Sequence, residues 1–155
     1  MRFLFFSAQY LPTAGGVERY NQGLAARLVR MGHSVTIATS ALPGLPENET
    51  GADSVHVARL PAQLWMNGRF PVIRQNADCQ RLTAQLFARP YDFAVIHTRF
   101  YPLSLWAARQ CKRHTLPAIV LEHGTKHLSL GNALLNVMGN AYEHTAMRLV
   151  RRHCQ

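Results

Sequence analysis

Apolar and polar positions along the chain switch repeatedly between two periods. Phe3-Leu4-Phe5-Phe6 is an unbroken apolar run closed by Ser7, and it predicts a strand over 2–7. From Val17 the spacing lengthens. Val17, Tyr20, Leu24, Leu28 and Met31 recur every three or four residues, which predicts one buried stripe on a helix over 17–31, stopped by Gly32-His33. Gly23 inside that helix costs about 1 kcal/mol against alanine, and a close helix–sheet contact would explain it. Residues 34–39, SVTIAT, are rich in β-branched side chains and predict a second strand.

Residues 41–53 hold prolines, glycines and glutamates and read as a loop. Val55 and Val57 alternate with polar neighbours, which predicts a short third strand over 54–59. Residues 61–71 look irregular, although Leu64, Trp65, Met66 and Phe70 either pack down or form an exposed apolar patch. A helix is expected over 72–89, with Cys79, Leu82 and Leu86 on one side. Pro90-Tyr91-Asp92 ends it and opens a fourth strand over 93–97. Pro102 sits where a first helical turn favours proline. Leu103, Trp106, Ala107 and Cys111 would be the inner face of that helix, with Arg109, Lys112 and Arg113 outside. Residues 118–122 are continuously apolar up to Glu122, as a buried parallel strand would be. A last helix is expected over 130–152, with Leu130, Leu134, Val137, Ala141, Thr145 and Leu149 buried and Arg148, Arg151 and Arg152 on the opposite side.

Strands thus alternate with helices, which predicts an α/β domain: a doubly wound, mostly parallel sheet of Rossmann-like type with helices on both faces. Ligands of such sheets bind beyond the carboxyl ends of the strands. The segments expected around one cleft are 7–16, 40 onward, 97–101 and 123–129.

Composition narrows the class of partner. The chain has 155 residues, 48% apolar and 16% charged, enough for one domain with a real core. Its formal net charge of +9 favours an anionic partner such as a phosphorylated metabolite, nucleic acid or an anionic membrane. No apolar run reaches the roughly 18 residues of a membrane span. The N-terminal run is too short for a signal-peptide core, so a cytoplasmic protein is expected. Cys79, Cys111 and Cys154 are distant and odd in number, which fits reduced thiols.

Candidate chemistry gathers at the predicted strand ends. Strand, Gly15-Gly16, helix is a way of presenting backbone N–H groups to an anion, although neither the GxGxxG spacing nor a P-loop Lys-Ser/Thr is present. Glycine there would reach positive φ freely and let a ligand approach the backbone. Glu18 in the first turn favours the helix dipole. His97 and His123 end predicted strands, and Arg99, Gly124 and Lys126 follow them on loops facing the expected cleft. His123 and His127 are four apart, but Gly124 argues against a helix and no carboxylate completes a zinc spacing, so no metal is expected.

Four segments, in order, resemble the N-terminal half of a GT-B glycosyltransferase of the retaining family 4 type. Gly15-Gly16-Val17-Glu18 follows the first strand, Gly32-His33-Ser34-Val35 enters the second, Tyr91-Asp92-Phe93-Ala94-Val95-Ile96-His97 forms the fourth, and Glu122-His123-Gly124 ends the fifth. The resemblance spans about residues 1–150. It implies transfer of a sugar from a nucleotide-sugar donor to a glycan or lipid-linked acceptor with retention, in bacterial polysaccharide or lipopolysaccharide synthesis, without a metal or other cofactor. It implies donor phosphate and sugar at Gly15 and Gly16, and a catalytic-site role for His123. Glu18, His97, Arg99, Gly124 and Lys126 are carried as cleft or acceptor residues.

The resemblance also implies that residues 1–155 are the acceptor-side domain and that the nucleotide-binding second domain is not in this chain. The fragment alone is therefore expected to be inactive. Family members with lipid-linked acceptors dock on membranes, which implies peripheral contact at the inner face of the cytoplasmic membrane. The basic cluster at Arg148, Arg151 and Arg152, with Trp65, Met66 and Phe70, could supply it, or could be a solvated face and a covered apolar surface. Two other functions fit the residues: a non-catalytic module binding a glycan or lipid phosphate, and a basic nucleic-acid-binding α/β domain. Against the last, the aromatics fall mostly in predicted strands and buried faces, so no nucleic acid is expected.

Overall fold

The computed structural model describes residues 1–13, 15–66, 68–124, 139, 141–146, 148, 150 and 154. A six-stranded sheet is ordered β3-β4-β2-β1-β7-β8. Its members are β1 (Arg2–Phe6), β2 (Ser34–Ser40), β3 (Asn48–Thr50), β4 (His56–Leu60), β7 (Phe93–His97) and β8 (Ala118–Leu121). All pairings are parallel except β3 with β4. A separate antiparallel hairpin joins β5 (Ala62–Trp65) to β6 (Phe70–Ile73). The helices are α1 (Gly16–Arg30), α2 (Ala77–Phe87) and α3 (Pro102–Arg113).

β1 is the hub because both its faces are apolar. Leu4 and Phe6 point into one core with Leu82, Leu86, Leu103 and Trp106 of α2 and α3. Phe5 points into the other with Ala25 of α1, Ile37 and Val95. Leu4, Phe5 and Phe6 are fully buried, each contributing roughly 1.5–3 kcal/mol of transfer free energy. Helices on both faces of a mostly parallel sheet are the doubly wound arrangement expected. From β1 the chain crosses through α1 to β2 on one side, and only later reaches β7 on the other. That reversal opens a crevice at the carboxyl ends of β1 and β7.

Several local expectations are corrected. Residues 61–71 are not irregular; they supply most of the β5–β6 hairpin, with Gly68 (φ +83°) and Met66 (φ +53°) at its tip. The helix expected from Val72 begins at Ala77 instead. Val72 and Ile73 are still paired in the hairpin, and Asn76 caps the helix by accepting from the Cys79 N–H at 3.0 Å. The third strand starts two residues late because Ser54 sits in a left-handed turn (φ 63°). The loop over 41–53 contains the short edge strand β3. β8 is the outer strand among the described residues rather than a buried one, and its Ile119 is 42% exposed.

On α1 the buried residues are Glu18, Asn21 and Ala25, while Tyr20 and Met31 of the expected stripe are exposed. The face turned because two polar side chains occupy it, and apolar periodicity is blind to them. Asn21 donates to Ser7 Oγ (2.8 Å), which in turn donates to the Gln9 carbonyl (2.7 Å), so the helix is keyed to the end of β1 by hydrogen bonds. Gly23 faces outward, and a Cβ there would meet nothing within 4 Å, so no close helix–sheet contact explains it. The described residues between 139 and 150 are helical, with Glu143, Ala146 and Val150 buried and Ala141 and Thr145 exposed. The expected stripe is displaced there too, whereas Arg148 faces out as expected. Leu130, Leu134, Val137, Leu149, Arg151 and Arg152 lie outside the described residues.

Candidate active site

A cleft of about 250 Å³ opens at the β1/β7 crevice. Ser7 to Gln9 form its β1 edge, Val17 and Glu18 its α1 edge, and Phe100 and Tyr101 the wall leading into α3. His97, His123 and Gly124 complete it from the ends of β7 and β8. The expected contribution from Ser40 is corrected. The β5–β6 hairpin covers that end of the sheet, and Ser40 lines a separate cavity of about 10 Å³ with Leu64, Gly68 and Pro71. The hairpin is fixed to the cleft wall by Phe70, whose ring lies 5.8 Å from that of Tyr101.

Two imidazoles form the centre of the cleft. His97 Nδ1 and His123 Nε2 are 2.9 Å apart, with the rings nearly parallel at 16°. One ring donates and the other accepts, so the accepting ring is neutral in this contact. His97 is 1% exposed and packs on Phe5 at 5.2 Å. Burial first, and the neighbouring His123 second, push it from 6.5 down to about 3. His123 is lowered as well, chiefly by burial, while Glu122 and Glu18 oppose the shift. Tyr20 meets the His123 ring edge-on at 4.9 Å.

The segment carrying His123 is pinned from the neighbouring strand. Arg99 Nη1 pairs with Glu122 Oε2 at 2.8 Å and Nη2 with Glu143 Oε2 at 3.3 Å, and the Arg99 N–H donates to Glu122 Oε2 at 3.2 Å. Thr98, just before Arg99, holds φ +66°, uncommon for a β-branched residue. Ser104 Oγ fixes that turn by donating to the Thr98 carbonyl (2.5 Å).

Residues 14–154 match the family model described as Glycosyltransferase Family 4. The chain belongs to glycosyltransferase family 4. Its structure resembles that of sucrose-phosphate synthase from Thermosynechococcus elongatus, with a TM-score of 0.56 and 16% sequence identity. That match covers 92% of this chain but 39% of the synthase, so the chain spans well under half the length of that protein. At this identity the likeness establishes the fold, a Rossmann-like half of a GT-B architecture. No curated protein sequence matches the chain significantly.

Within this family 4 domain, the structure brings Glu18, His97, His123 and Gly124 to one cleft. Gly15 and Gly16 lie just outside its lining, at the start of α1. Their expected use of positive φ is corrected: Gly15 is extended (φ −114°, ψ −171°) and Gly16 is the first helical residue. What Gly15 provides is space, because a Cβ there would run into Glu18 Oε2. Arg99 is neither a free cation nor a solvated one; its side chain is 11% exposed and held by two carboxylates. Lys126 and His127 lie outside the described residues. Among the described residues no group of three His, Cys, Asp or Glu side chains is placed to hold a metal ion.

Apolar patterning missed Tyr20, which it assigned to the core, whereas Tyr101 closes the 97–101 segment expected at the cleft and does line it. Tyr20 carried one usable signal: it stands two residues after a first-turn glutamate, on a helix whose amino end faces the crevice.

Proposed function

We propose that this chain is the acceptor-side domain of a retaining glycosyltransferase. The enzyme moves a sugar from a nucleotide-sugar donor to a glycan or lipid-linked acceptor in the cytoplasm, in bacterial polysaccharide or lipopolysaccharide synthesis. The observation that carries this reading is the neutral His97–His123 pair at the floor of the switch-point cleft of a family 4 chain. In transfer the bond from the anomeric carbon to the diphosphate breaks, and an acceptor hydroxyl bonds to that carbon and loses its proton. The leaving diphosphate gains negative charge, which the amino end of α1 favours. Gly16 is exposed and open, and it offers the donor a close approach to that backbone. A neutral His123 can bond a sugar hydroxyl through its outward ring atom while His97 holds the other nitrogen.

Among the described residues no helix is long and apolar enough to cross a membrane. Peripheral docking is proposed through the hairpin tip, where Trp65 and Met66 are 55% and 58% exposed. Phe70 turns inward instead, against Tyr101 and Tyr142.

The test is an assay of the polypeptide encoded by the reading frame that contains this chain, with a panel of nucleotide sugars and product anomers assigned by NMR. Acceptor-dependent release of nucleoside diphosphate with a retained anomer supports the reading. An inverted anomer overturns retention, and no release with any donor favours a module that binds glycan or lipid phosphate without turnover. The 155-residue chain alone is expected to give no turnover.

A further inference from the structure

His97 turns one ring nitrogen toward His123 and the other into the protein. The inner one, Nε2, is buried and has no hydrogen-bond partner among the described residues. The ring packs on Phe5, and Asn21 Oδ1, a buried acceptor of α1, makes no hydrogen bond to it. Burial keeps His97 neutral near pH 7, so it has one proton to place. Two tautomers fit the 2.9 Å contact between His97 Nδ1 and His123 Nε2. In one, His97 Nδ1–H donates and its Nε2 is a bare lone pair. In the other, His123 Nε2–H donates, and the His97 proton is forced onto Nε2 as a buried N–H with nothing to bond. Buried N–H groups without an acceptor are rare in folded proteins, rarer than under-used acceptors.

We infer that His97 is a positioning residue whose Nδ1–H donates to His123 Nε2 and thereby holds the His123 proton on Nδ1, so that His123 meets a ligand as a hydrogen-bond donor and not as a base. A second observation agrees. Glu122 and Glu18 both favour positive charge on the His123 ring. With the proton on Nδ1, the positive end of the neutral ring's dipole is the end not turned to His97. His123 lines the cleft, and its Nδ1 has no partner among the described residues. For sugar transfer, which rests on the glycosyltransferase reading of this cleft, His123 then donates to a sugar oxygen and removes no proton.

The experiment is a two-bond 1H–15N correlation spectrum of the imidazoles of the 155-residue chain at pH 7, which separates protonated from bare ring nitrogens. The His123→Ala and His97→Phe variants assign the two rings. In the native chain both rings are expected as the Nδ1–H tautomer, in excess over the other form by about tenfold or more. In His97→Phe, folded by circular dichroism, His123 is expected to revert to a majority of Nε2–H, the form a free imidazole side chain favours in water. His97→Leu is the second variant for that reading. Nε2–H on either ring of the native chain, an even mixture of tautomers, or a doubly protonated ring overturns the inference. So does a His123 that keeps its Nδ1–H form in a folded His97 variant, because His97 would then not set it. The tautomers are read without turnover. A failure here leaves nucleotide release by the intact polypeptide untouched, and an absence of release leaves the tautomers standing.

Discussion

His97 Nδ1 and His123 Nε2 stand 2.9 Å apart at the ends of two adjacent parallel strands, and the pair cannot take two protons without losing that hydrogen bond. His97 titrates near 3 in the folded chain against its ordinary value of 6.5. A lowered histidine pKa favours the folded state fully above the unfolded value. That contribution is lost as pH falls from about 6.5 toward about 3, because the unfolded chain binds the proton first. Urea unfolding between pH 7 and pH 4 is therefore expected to show stability falling by on the order of a few kcal/mol. His97→Gln is expected to flatten that dependence.

Arg59 is 2% exposed and donates to Glu49 Oε1 (2.6 Å) and to the Leu11 carbonyl (3.1 Å), joining β3, β4 and the loop after β1. Glu49 itself is 40% exposed. Glu49→Ala is nevertheless expected to destabilise the chain by about 2–4 kcal/mol, because it leaves a buried guanidinium without its counter-charge. An ordinary surface effect, within about 0.5 kcal/mol by urea denaturation, would refute this.

Gly23 is exposed in the interior of α1 with open space around its missing Cβ. Gly23→Ala is expected to stabilise the chain by about 0.5–1 kcal/mol, read as a raised urea midpoint with unchanged slope.

Gly15→Ala meets no backbone strain, since φ is −114°, but its methyl would meet the Glu18 carboxylate. The substitution is expected to cost about 1 kcal/mol or less and to become neutral in a Glu18→Ala background. Additive effects in that double-mutant cycle would show that the two residues do not touch.

Strong apolar runs made much of the fold legible. β1, β2 and β7 and the inner faces of α2 and α3 stand where Phe3 to Phe6, Val35 to Ala38, Ala94 to Ile96, Leu82 and Trp106 indicated. The hairpin was hidden because Pro71 and Gly68 signal a break, while its pairing partners lie in the same apolar stretch. The buried face of α1 was misread because Glu18 and Asn21 lie on it, and burial of polar groups is dictated by partners distant in sequence, here Ser7. His97 and His123 were recognisable singly as strand-end residues. Their contact was not, because only the β7–β8 pairing sets them side by side. The partners of Arg99 were equally illegible, since Glu143 lies 44 residues away.

His123 is the group through which this family 4 cleft is proposed to transfer sugar. The decisive comparison is nucleoside diphosphate release by the intact polypeptide and by its His123→Ala variant under saturating nucleotide sugar. In the variant kcat is expected to fall about 100-fold or more, with the donor KM changed by about threefold or less. Release at an undiminished rate in the variant would refute that role for His123.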